Sequence, residues 1–198
     1  MRLQSEMPPH ADLRSIRRRA QEHIENGAVV ESYAADPQVV VDMLNAALAT
    51  ELVCVMRYKR HYYMAHSRVA APVADEFLRH ANEELGHADE LARRITQLNG
   101  APSFDPETLL SRSHSQYGPG GTLIEMIRED LIAERIAIES YAQMIRYLGP
   151  RDPTTRRMLE GILACEEQHA LEMADLLARH SPQPADPSAP LHAPTRPA

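Results

Sequence analysis

Four cap-bounded helical stretches of nearly equal length restrict this chain more than any other feature. Asp36-Pro37 offers an N-cap followed by an N1 proline, and the stretch it opens runs to about His66. Pro72 opens a second, ended by Gly100. Thr122 caps a third, which runs to Leu148 ahead of Gly149-Pro150, and Asp152-Pro153 starts a fourth that reaches about His180. Each spans about 27 to 30 residues, roughly 40 to 45 Å at 1.5 Å per residue. Matched lengths, with apolar residues at alternating three- and four-residue steps, predict an all-α bundle. Two Phe and no Trp in 198 residues leave little material for a sandwich or barrel.

About five residues join the first pair of helices and about four the second, so each pair is an antiparallel hairpin. Residues 100–121 are long enough to cross the bundle, with Asp105-Pro106-Glu107 starting one short helical turn. The expected fold is a four-helix bundle over residues 37–180 with one long crossover between the second and third helices. Residues 1–36 form an N-terminal arm, in which residues 10–26 suit a short helix that carries Arg14, Arg17, Arg18 and Arg19 and stops at Gly27. Residues 181–198 hold six of the 15 prolines and read as a disordered tail. No 18-residue apolar run is free of charge and no basic-then-apolar leader opens the chain, so a cytoplasmic protein without a membrane span is expected. A formal charge of −7 with one lysine, Lys59, argues against a protein that coats DNA through its overall field. Two cysteines are too few for a disulfide framework.

The seams that should face the bundle interior are interrupted by charge. The first reads Val41, Leu44, Leu48, Glu51, Val55, Tyr58, Tyr62, and the third reads Ile124, Ile127, Leu131, Glu134, Ile138, Tyr141, Ile145, Leu148. In the second, Glu84 lies among Phe77, Ala81, Ala88, Leu91, Ile95 and Leu98, with His87 beside it. In the fourth, Glu166 and His169 lie among Leu159, Ile162, Met173 and Leu177. Four buried carboxylates need cations or protons. Glu-x-x-His places both side chains on one helix face, where they can reach the same ion, so these six residues offer four carboxylates and two imidazoles to two ions. That arrangement is the one described for ferritin-like di-iron bundles. The alternative without metal is a bundle whose inner glutamates are paired with arginine. Met126, Met144, Met158 and Met173 read as core filler. His80, one turn before Glu84, reads as a satisfied or exposed residue, and His61, His66 and His114 as surface or helix-end residues.

The stretches EELGHADELARRITQLNGAPSFDP, EDLIAERIAIESY and EEQHALEMADLL resemble the bacterioferritin branch of the ferritin-like superfamily over about residues 37 to 180. The resemblance implies that Glu51, Glu84, His87, Glu134, Glu166 and His169 bind two iron ions within one subunit, with Glu84 and Glu166 as bridges. Tyr58 and Tyr141, seven residues after Glu51 and Glu134, are similar to tyrosines that support those ligands. Leu85 follows Glu84 where haem-binding members have methionine, so haem is not expected. The position before Glu166 is Cys165 where the family often has aspartate, and Cys54 lies one turn from Glu51. With no fifth helix, the chain is also similar to Dps-like proteins, which form twelve-subunit shells; a homo-oligomeric dodecamer is the corresponding expectation. The implied activity is a ferroxidase that oxidises Fe(II) to Fe(III) with dioxygen or peroxide, for iron storage and protection against oxidative stress. Two alternatives remain. The same ligands suit a manganese catalase-like oxidase, since they do not name the metal, and the Arg14 to Arg19 cluster suits a DNA-protecting nucleoid protein.

Overall fold

The computed structural model describes residues 12–65 and 70–181. His66 and the proline-rich tail from residue 182 lie outside them. Among the described residues there are six α-helices and no strand: α1 (Leu13–Arg19), α2 (Pro37–Met64), α3 (Ala71–Gln97), α4 (Leu109–Arg112), α5 (Leu123–Leu148) and α6 (Pro153–His180). Helix α2 packs along α3 and α5 along α6, and the two hairpins close on each other through α2 with α5 and α3 with α6.

Local chemistry sets the helix ends. Asp36 accepts hydrogen bonds from the Gln38 and Val39 amides, Thr122 and Glu125 form a reciprocal capping box, and Asp152 accepts from the Thr155 amide. Helix α3 has no side-chain cap and begins at Ala71, with Pro72 in its first turn. Its far end departs from expectation, because Asn99, at φ 62°, is the left-handed residue. Gly100 closes the last turn with a bond from its amide to Ile95 O at 2.9 Å. Its lack of a side chain has another cause: a Cβ there would stand 2.6 Å from both Val41 methyl carbons. The arm helix is also shorter than expected. Helix α1 ends at Arg19 and buries no residue, and a left-handed His23 separates it from a 3₁₀ turn at Ile24–Asn26. A short helix with no packed face has little to extend it. In the crossover, Asp105 accepts from the Glu107 amide and the Thr108 hydroxyl, and the single helical turn follows at α4, where Leu109 packs on Ala49 and Val53.

The crossover is fastened along α2 rung by rung. Asn45 pairs with Ala101 O and the Ser103 amide, Thr50 accepts from the His114 amide at 2.9 Å, Arg57 donates to Gln116 O at 3.1 Å, and His61 Nε2 lies 3.2 Å from Pro119 O. From Asn45 to His61 the contacts cover roughly 24 Å of helix. At the upper rungs Asp130 of α5 is fully buried between Arg57 Nε at 2.9 Å and His61 Nδ1 at 2.7 Å. His61 is therefore no surface residue: it lies on a face of α2 that four seams alone leave open and that the crossover covers. Helix α2 is long and apolar enough to cross a membrane by length and composition alone, although it carries charged residues. Here its apolar surface is the inner wall of the bundle, and Glu51, Arg57 and His61 are buried along it.

Two apolar clusters form the core. One gathers Leu44, Leu48, Leu91, Ile95, Leu148 and Leu159, and the other Tyr58, Val73, Phe77, Met126, Ile127 and Met173. Met126, Met144 and Met173 are buried, and Met158 packs against the first cluster. Between the clusters lies a polar layer.

Replacing Asp130 by Ala leaves the Arg57 guanidinium buried without its counter-ion and is expected to destabilise the fold by about 3 to 5 kcal/mol in urea unfolding. The paired replacement Arg57→Met with Asp130→Leu is expected to lose clearly less. Equal losses would show that the pair matters only through its volume.

Candidate metal centre

The polar layer is built from one face of each long helix. Glu51 comes from α2, Glu84 and His87 from α3, Glu134 from α5, and Glu166 and His169 from α6; all six side chains are buried. They separate into two overlapping sets whose ligand atoms lie within 4.8 Å of one another: Glu51, Glu84, His87 and Glu166, and Glu84, Glu134, Glu166 and His169. In the first, His87 Nδ1 is 3.0 Å from Glu166 Oε1, 3.2 Å from Glu84 Oε2 and 3.8 Å from Glu51 Oε2. In the second, His169 Nδ1 is 3.3 Å from Glu84 Oε1, 3.5 Å from Glu166 Oε2 and 3.9 Å from Glu134 Oε2. Glu84 and Glu166 thus present one oxygen to each set.

Within the centre His87 Nδ1 hydrogen-bonds to Glu84 Oε2 at 3.2 Å, but other inward-facing atoms find no such partner. Glu84 Oε1, both carboxylate oxygens of Glu166 and His169 Nδ1 are buried without a hydrogen-bond partner. Such groups are rare in folded proteins because each carries its full desolvation penalty. Lone pairs converging on common points are the geometry a metal ion satisfies, and carboxylate with imidazole suits iron, manganese or zinc.

The two terminal carboxylates are held crosswise. Tyr58 of α2 donates to Glu134 of α5, and Tyr141 of α5 donates to Glu51 of α2. Each tyrosine stands two turns beyond the glutamate on its own helix, yet it serves the glutamate on the other. His169 is oriented by Glu83, whose Oε2 lies 2.7 Å from Nε2. With Nε2–H donating there, Nδ1 is the ring nitrogen that faces the centre. Sequence reasoning passed over Glu83, whose only signal is its position in the Glu83-Glu84 doublet. His80 is fully buried, with Nδ1 at 3.0 Å from the Tyr58 hydroxyl and its ring stacked on His169 at 4.0 Å between centroids. His114 is exposed. Cys54 and Cys165 are free thiols in separate settings: Cys54 accepts from Arg57 Nη2 at 3.3 Å, and Cys165 Sγ lies 3.4 Å from His169 Nε2. Leu85 is exposed.

Crowded carboxylates do not ionise together. Burial, reinforced by the charge of Glu84, pushes Glu51 up to about 8, and burial with the charges of Glu84 and Glu166 also raises Glu134 well above the ordinary carboxylate range. Burial also works against charge on Glu84 and Glu166, but contacts with His169 and His87 hold both below the ordinary carboxylate range.

Glu51 gives a signed pH dependence. In metal-free protein the folded chain keeps a proton that the unfolded chain releases between about pH 4.5 and 8, so this group's contribution to stability falls as pH rises through that window. In chelator, Glu51→Gln is expected to melt above the parent at pH 8, with the difference shrinking towards pH 5. Parallel melting curves across that range would contradict the assignment.

Comparison with known proteins gives the same architecture. The family model for the ferritin-like domain matches residues 41–181. The bacterioferritin of Rhodobacter capsulatus is 30% identical over 131 residues, 66% of this chain and 77% of that one. Among solved structures, the dodecameric thioferritin of Bacteroides fragilis, described as a bacterioferritin-related protein, superposes with a TM-score of 0.71 at 30% identity, covering 74% of this chain and 88% of that one. Dps from Thermosynechococcus elongatus superposes with a TM-score of 0.67 at 20% identity, covering 71% and 90%, and shares the fold.

Proposed function

The chain belongs to the ferritin-like family, and from that premise we propose that it is a ferroxidase that takes Fe(II) as substrate at the six-residue centre and returns it as Fe(III). The observation that carries this reading is the set of buried acceptors without hydrogen-bond partners, Glu84 Oε1, Glu166 Oε1 and Oε2, and His169 Nδ1. Glu51, Glu84, His87 and Glu166 would hold one ion, and Glu84, Glu134, Glu166 and His169 the other. Four carboxylates balance two divalent cations, which removes the repulsion that keeps Glu51 and Glu134 protonated in their absence.

Iron supplies the one-electron Fe(II)/Fe(III) couple, with dioxygen or peroxide as the acceptor. The protein's own groups set the geometry around it. Glu84 and Glu166, each presenting one oxygen to either set, would be shared by the two ions. Tyr58 and Tyr141 fix the terminal carboxylates of Glu134 and Glu51. Glu83 holds His169 in the tautomer that offers Nδ1. The apolar clusters above and below the layer limit water and raise the strength of every charge interaction within it. The likeness to a dodecameric thioferritin supports assembly into a closed homo-oligomeric shell of twelve copies in which the ferric product is stored.

Glu84→Ala and His169→Ala are each expected to abolish rapid Fe(II) oxidation, followed as the ferric absorbance after anaerobic loading and addition of oxidant, while leaving the helical circular-dichroism signal largely unchanged. Unchanged oxidation by either variant would remove the centre from the reaction. A light-scattering mass far from twelve copies would remove the shell and leave the centre standing.

A further inference from the structure

Outward from His169, helices α3 and α6 bring a second set of donors together. Glu76, His80 and Glu172 each offer one ligand atom, all within 4.8 Å of one another. None of them belongs to the six-residue centre, although His80 stacks on His169. The position a cation would take among them is held by part of the protein itself, the guanidinium of Arg79. Its Nη2 lies 2.6 Å from Glu76 Oε1 and 2.8 Å from His80 Nε2 and also contacts Glu172 Oε2, while its Nη1 lies 2.8 Å from Glu83 Oε2.

Hydrogen bonding does not satisfy this arrangement. Three acceptors converge on one nitrogen that carries two N–H bonds. The Tyr58 hydroxyl donates to Glu134, so His80 Nδ1, 3.0 Å from the same oxygen, is the donor to it. His80 Nε2 is then a lone pair facing the Glu172 carboxylate at 2.9 Å. A proton on Nε2 would not help, because it would stand against the Arg79 donor at 2.8 Å. Two carboxylates and an imidazole lone pair around a common point are satisfied by one divalent transition-metal ion.

Access and mobility fit that occupant. His80 is fully buried and clamped between Tyr58 and His169, so its Nε2 is fixed. The Arg79 side chain is 39% exposed and can leave. A cleft of about 380 Å³ between the start of α3 and the end of α6 opens onto Glu76 and Glu172, with Asp175 on its wall.

We propose that Glu76, His80 and Glu172 form a further site for one divalent transition-metal ion, and that the Arg79 guanidinium is its internal competitor, holding the position until metal displaces it. The ligation rests on these side chains alone. Its use as a staging position for ions bound for the neighbouring centre rests on the ferroxidase reading.

Co(II), added anaerobically to the full chain and followed by calorimetry, tests it. The parent is expected to bind two ions tightly and a third more weakly. Arg79→Gln should strengthen the third by about tenfold or more, because a competitor is removed, whereas Arg79→Lys, which keeps the positive charge, should leave it weak. His80→Gln added to Arg79→Gln should abolish the third ion alone. In crystals of Arg79→Gln soaked with Co(II), anomalous density is expected between Glu76, His80 and Glu172. Parent-like binding by Arg79→Gln, or no anomalous peak at those residues, overturns the proposal. Glu51→Ala with Glu84→Ala, which leaves the Glu134–Tyr58–His80 chain in place, separates it from the ferroxidase reading: in that background Arg79→Gln should still take the ion at the outer site. Failure of the parent to bind the inner pair counts against the ferroxidase reading and leaves this readout intact.

Discussion

Desolvation of the mid-bundle carboxylates is the constraint around which this fold is organised. Glu51, Glu84, Glu134 and Glu166 are nearly inaccessible, and Glu84 Oε1 and both carboxylate oxygens of Glu166 have no hydrogen-bond partner. An apolar bundle of this length would be simpler to stabilise without them. Each nearby feature lowers the cost of their burial in a particular way. The tyrosines donate to the two terminal carboxylates, the histidines approach the two shared ones, and burial favours protons on Glu51 and Glu134, which remove charge. The two apolar clusters are split by this layer, so the same slab that interrupts the core defines the site.

A second buried ionic cluster has a different task. Arg57, Asp130 and His61 join α2, α5 and the crossover, and the contacts from Asn45 to His61 lay the crossover along α2. Because the crossover must carry the chain from one end of the bundle to the other, its path fixes α5 antiparallel to α2. That direction sets Glu134 and Tyr141 opposite Tyr58 and Glu51. The reciprocal tyrosine bonds are therefore a consequence of topology as much as of spacing. At the other end, Asp152, the cap of α6, also receives Arg94 and the Tyr33 hydroxyl and ties α3, α6 and the segment before α2 together.

The centre and its surroundings use one charge logic at two depths. Deep in the bundle Glu84 Oε1, both Glu166 oxygens and His169 Nδ1 are left without partners. One turn outward, Glu76, Glu83, His80 and Glu172 surround the Arg79 guanidinium, a cation supplied by the chain. Glu83 belongs to both layers, because one of its oxygens meets both Arg79 and His169. Exchange of an arginine for a metal ion at the outer layer would therefore be felt by His169 through both Glu83 and the stacked His80.

Sequence alone determined the helices and their inward charges. Caps are local: Asp36, Thr122 and Asp152 act on amides two or three residues away, so they can be read directly. Periodicity is also local, and it put Glu51, Glu84, His87, Glu134, Glu166 and His169 on the faces that the fold buries. What only the tertiary structure decided were pairings between residues distant along the chain. Tyr58 bonds to Glu134 and not to the glutamate on its own helix, Glu83 orients a histidine 86 positions away, and His61 is buried because a crossover without a periodic pattern lies over it. The physical reason is range: capping and helical phase are set within one or two turns, whereas hydrogen-bond partners across a bundle depend on which helices adjoin and in which direction they run.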